Sequence, residues 1–124
     1  MKKKLTPRAV EAVRVLKKWR NGIPWEEHKK PSSYFLELAA LKAWKGLKAG
    51  PKGEWAPSLP RLLLTCFEGM LKMAQRPGKR VLLDVAQPSN NVAGTLSDAV
   101  WSILGRVCEQ EVARGKAAAA RLTR

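Results

Sequence analysis

The chain has 124 residues, enough for one domain with a modest core and too few for two. Its 24 Lys and Arg against 10 Asp and Glu give a formal charge of +14, which points to a polyanionic partner, nucleic acid before any other. No apolar run reaches membrane-spanning or signal-peptide length, so the expectation is an intracellular protein with no membrane partner, cytoplasmic in the first instance with an organelle left open. The charge is uneven: residues 1 to 52 carry 14 basic and 4 acidic residues, net +10, so a polyanion is expected to meet the first half.

A basic arm, residues 1–6 with Lys2, Lys3 and Lys4, leads into the first helix. Thr6-Pro7 is a helix start, and Ala9, Val13, Leu16 and Trp19 recur at helical spacing, predicting a helix from about Pro7 to Arg20. Arg14, Lys17 and Lys18 fall at i, i+3 and i+4 on a face roughly opposite that stripe. With Arg8 and the arm they can grip phosphate, although a solvated face with no specific contact has the same pattern.

Asn21-Gly22 ends this helix. A connection holding Trp25, Glu26, Glu27 and His28 leads to Pro31-Ser32-Ser33, the cap of a second helix over roughly Ser33 to Leu47. Its early part, Tyr34 to Leu41, is apolar almost all round and predicts a central position, with Glu37 the exception. An ionised carboxylate there is costly unless paired, and Arg14 or Lys17 are the expected partners. Tyr34 lies one turn from Glu37 and has a ring suited to stacking on a base. Trp19, Trp44 and Trp101 read as core anchors, whereas Trp25 and Trp55 lie in expected loops where a base can stack on them.

Residues 48 to 57, with Gly50, Pro51, Gly53 and Pro57, read as a loop. Ser58 opens a third helix through about Arg76, with Leu59, Leu62, Leu63, Cys66, Phe67, Met70 and Ala74 as its stripe. Pro77-Gly78 stops it. Val81, Leu82 and Leu83 then predict one short buried strand, and Pro88, Asn90, Asn91 and Gly94 a polar turn that Asp84 braces through backbone amides. Thr95 or Ser97 caps a last helix whose Val100, Ile103, Leu104 and Val107 face the core, with a basic tail, 114–124, expected to fray. The fold expected is mostly α, a single bundle of about four helices with one short strand and turn.

Cys66 and Cys108 sit inside apolar helical patterns without metal-ligand spacing and read as reduced core thiols. His28 has no ligand partners at suitable spacing. No nucleophile motif, phosphate loop or paired aspartates occur, so no catalytic residue and no metal ligand is assigned, and the chain is not expected to be a complete enzyme alone.

Three segments, Arg14-Val-Leu-Lys17-Lys-Trp19, Pro31-Ser-Ser-Tyr34-Phe-Leu-Glu37-Leu-Ala-Ala-Leu-Lys-Ala-Trp44 and Arg80-Val-Leu-Leu-Asp84-Val-Ala-Gln-Pro88-Ser-Asn-Asn91, occur in an order and spacing that resemble the C-terminal helical lobe of the 2′-5′-oligoadenylate synthetases, within the wider nucleotidyltransferase superfamily. The resemblance implies that Arg14 and Lys17 meet a nucleotide triphosphate, that Tyr34 stacks on an adenine, and that Asp84, Pro88 and Asn91 pin a turn. Ser33 stands where that family has glutamine, Val85 where it has a proline and Gln87 where it has an aspartate. The family's magnesium-binding carboxylates lie in a preceding lobe, so ATP and Mg2+ are expected only if a separate chain supplies that lobe. Two functions follow. The first is a non-catalytic RNA-associated domain, binding double-stranded or structured RNA as a subunit of a ribonucleoprotein. The second is the ATP- and RNA-binding half of a split or truncated synthetase-like enzyme.

Overall fold

The computed structural model describes residues 7–49, 58–76, 80–84 and 86–122, with side chains at all of these except 48–49 and 117–122. Thr6, the lysine arm, Trp55, the Pro77-Gly78 stop and Val85 lie outside the described residues.

Four helices form: α1 (Pro7–Asn21), α2 (Ser33–Ala49), α3 (Leu59–Gln75) and α4 (Asp98–Leu122), with a 3-10 turn over Val92–Thr95 before α4. Serines set three of the starts. Ser32 Oγ accepts from the Phe35 amide at 3.1 Å, Ser58 Oγ from Arg61 at 3.3 Å and Ser97 Oγ from Val100 at 3.2 Å, each meeting one of the amides a helix start leaves unpaired. Asp98 adds a negative charge to the first turn of α4.

Helix α3 packs against each of the other three helices, most extensively against α4. At that seam Gly105 of α4 comes so close that a Cβ there would stand 3.1 Å from Ala74 Cβ. The early half of α2 is buried on most sides through Phe35, Leu36, Leu38, Ala39 and Ala40, as its all-round apolarity predicts. Phe35 meets Trp101 of α4 edge-on at 5.8 Å, and Trp19 of α1 meets Phe67 of α3 at 4.9 Å. Trp101 is fully in the core, while Trp19 and Trp44 are half-buried at its edge. Cys66 and Cys108 are free and buried, and burial pushes both thiols up to about 12.

The short strand does not form among the described residues. A single antiparallel bridge joins Leu83 to Asn91, flanked by the Val92 amide donating to Leu82 O at 2.9 Å and the Asp84 amide donating to Asn90 O at 2.9 Å. The apolar run is too short and too one-sided to recruit a second ladder: only Leu82 is buried, Val81 is half-buried and Leu83 is half exposed.

Candidate nucleic-acid interface

Helix α1 buries Ala9, Ala12, Val13 and Leu16, which turns Arg14 and Lys18 to solvent one helical turn apart. Lys17 lies half-buried at the edge of that face. Arg8 is exposed and pairs with Glu11 at 3.3 Å. Asn21 continues the exposed row three positions beyond Lys18, and its Oδ1 accepts from Lys30 Nζ at 3.0 Å. Arg14, Lys18 and Lys30 therefore line up along about 10 Å of α1, at 1.5 Å per residue. Lys30 was not among the residues expected to meet RNA. The signal was available in Lys29-Lys30, but only the fold shows that the connection returns to the end of α1.

That return depends on Arg20, a further residue the pattern did not single out. It is buried, and its Nη1 donates to Pro31 O and to Ser33 Oγ, both at 3.1 Å, while its Nε donates to Asn21 Oδ1 at 3.1 Å. All of these partners are neutral groups, and together they hold the start of α2 against the end of α1. The Arg20 carbonyl accepts from Trp25 Nε1 at 2.9 Å. Trp25 is consequently buried: its indole closes the connection and is not open to a base, which removes Trp25 as a candidate stacking ring. His28 stays exposed in that connection, 3.8 Å from Glu26, which takes a positive φ of 60°.

Glu37, expected to pair with Arg14 or Lys17, is half-buried on α2, while Arg14 is exposed on α1 and Lys17 half-buried at the edge of the same face. Arg20 ties α1 to the start of α2.

Tyr34 is anchored at its far end. Its hydroxyl donates to Asp84 Oδ1, and Asp84, only 8 % exposed, also accepts from the amides of Ala86 at 2.8 Å and Gln87 at 3.3 Å and from Asn90 Nδ2 at 3.4 Å. The Tyr34 hydroxyl, ahead of the backbone and Asn90 donors, holds the Asp84 carboxyl below the usual carboxylate range. The same bond pushes the Tyr34 phenol up to about 12. Asn91 closes the turn, with Oδ1 accepting from the Leu82 amide and Nδ2 donating to Arg80 O, each at 2.8 Å. Pro88 lies exposed in the turn between them. Arg80 in turn donates from Nε to Met73 O at 3.1 Å and from Nη2 to Ala74 O at 3.0 Å, the last-turn carbonyls of α3, and its guanidinium lies 5.1 Å from the Trp101 ring.

Beside Tyr34 is a cleft of about 210 Å³ that Lys29, Lys30, Ser32 and Asn90 also line. Neither Arg14 nor Lys17 is among the described residues that line it. Among the described residues no three His, Cys, Asp or Glu side chains cluster as a metal site would need, and no helix is long and apolar enough to cross a membrane. No protein-family model, curated protein or solved structure matches the chain.

Proposed function

We propose that this is a non-catalytic RNA-associated domain that grips phosphates with the exposed face of α1 and the returning connection, as a small subunit of a ribonucleoprotein. The observation that carries the reading is the alignment of Arg14, Lys18 and Lys30 along one exposed face of a chain with a formal charge of +14. A backbone-gripping mode needs only such a row, because phosphate contacts fix position and supply affinity without reading bases.

The test is affinity for a short RNA duplex measured over a range of salt. A steep linear fall of log affinity with log salt is expected, and the triple variant Arg14→Glu, Lys18→Glu, Lys30→Glu should flatten that slope by about 3, one unit per lost phosphate contact. A flat plot for the unaltered protein would sink the reading.

The resemblance to the synthetase lobe motivates a second reading, an ATP-binding half of a split nucleotidyltransferase. Tyr34 beside Lys29 and Lys30 is the observation in its favour. Its cleft of about 210 Å³ falls below the ~300 Å³ at which small-molecule pockets begin, so the RNA reading ranks first. Loss of ATP binding in Tyr34→Ala, with duplex binding kept, would reverse that order.

A further inference from the structure

A groove of about 680 Å³ runs between α2 and α3, with Ala39, Ala43, Met70 and Met73 along its apolar lining. Its rim carries exposed Lys42, Lys72 and Arg76 against a single acid, Glu68. From this complementarity we infer that the groove docks an acidic amphipathic helix of a partner protein, its apolar side chains against the lining and its carboxylates against the three bases. This is a site separate from the α1 face and does not rest on the RNA reading.

Two glycines support close approach from outside. Gly46 of α2 and Gly69 of α3 both line the groove, and a glycine inside a helix costs roughly 0.5–1 kcal/mol relative to alanine. At Gly105 and Gly115 the chain's own packing uses the missing Cβ, which would meet Ala74 at 3.1 Å and Leu64 at 2.8 Å. At Gly46 and Gly69 a Cβ meets nothing within 4 Å among the described residues. Among the described residues nothing there requires glycine, and the room it leaves is open to an incoming helix.

The choice of occupant follows from chemistry. RNA can grip the three rim bases through phosphate, but it leaves the apolar lining uncovered, with no aromatic ring there on which to stack a base. A second copy of a chain with a formal charge of +14 is repelled. Ala39, Ala43, Met70 and Met73 are buried and form the groove's floor, and a groove between two helices is the standard seat for a third. The lining spans residues 65 to 76 of the α3 region, matching about three turns of partner helix.

The test uses a designed four-turn peptide with Leu and Met on one face and Glu on the other, titrated into the full chain carrying methyl-labelled methionine. The chain has three methionines, so the Met70 and Met73 signals are readily assigned. Saturable shifts of both signals are expected, with affinity at least tenfold above that of a peptide of the same composition whose order is scrambled. Gly69→Leu, which fills the groove, should cost tenfold or more, and Lys72→Glu at least fivefold, with duplex-RNA binding unchanged in both and the melting temperature not lowered in either. The inference is overturned if the amphipathic and scrambled peptides bind alike, if neither binds, or if Gly69→Leu and Lys72→Glu bind as the unaltered chain does. It is also overturned if the Met70 and Met73 signals move on adding duplex RNA, or on concentrating the protein alone, since RNA or a second copy would then be the occupant.

Discussion

Asp84 accepts from one hydroxyl, two amides and one carboxamide. Because Tyr34 is the chain's single tyrosine, the bond between them has a clean optical signature. The folded phenol stands at about 12 against an ordinary 10.0, raised first by the hydrogen bond to Asp84 and then by burial and the neighbouring carboxylates. The bond's contribution to stability is therefore complete below pH 10 and disappears as the pH climbs through 12. Tyrosinate absorbance should show a midpoint near 12 in the folded chain, and Asp84→Asn, which removes the charge and keeps an oxygen acceptor, should bring it down toward 10. A midpoint at 10 in the unaltered protein would contradict the geometry. The sequence placed Asp84 and Asn91 in a braced turn but gave no sign that Tyr34, fifty residues earlier, supplies part of the brace, because nothing local encodes a contact at that separation.

At the scale of elements, the glycines separate into two classes. Gly69→Ala should raise stability by up to about 1 kcal/mol, since the new methyl meets open space and the helix gains propensity. Gly105→Ala should gain less or lose, because Ala74 stands in the way at 3.1 Å. Urea denaturation of the two variants gives the order directly, and equal gains would show that the α3–α4 seam yields freely. The helices themselves were legible to within a residue or two at nearly every end, because serine caps, Pro7 and Asn21-Gly22 are local signals. The strand was not, because a β ladder requires a partner, and what Leu82 and Leu83 found was one bridge to Asn91. The burial of Trp25 was not legible for the same reason. Its burial needs the Arg20 carbonyl at the far side of a closed connection, and a tryptophan flanked by proline and two glutamates reads locally as exposed.

The whole molecule divides its labour between a tightly packed interior and an outer surface with a large excess of positive charge. The charge was legible from composition alone, whereas its organisation was not: Lys30 joins the α1 row only because Arg20 folds the connection back. The buried thiols give this architecture a practical consequence. Cys66 and Cys108 lie in α3 and α4, helices that pack together, and each is shielded from solvent with its proton held to about 12. An alkylating reagent at neutral pH therefore reacts only with molecules that have come apart there. Iodoacetamide uptake by the native chain should run at least on the order of a thousandfold slower than in urea, and comparable rates would mean that this interior opens freely. The chain thus carries its own chemical clock for unfolding, readable by mass in a crude mixture, with no dye attached and no substitution made.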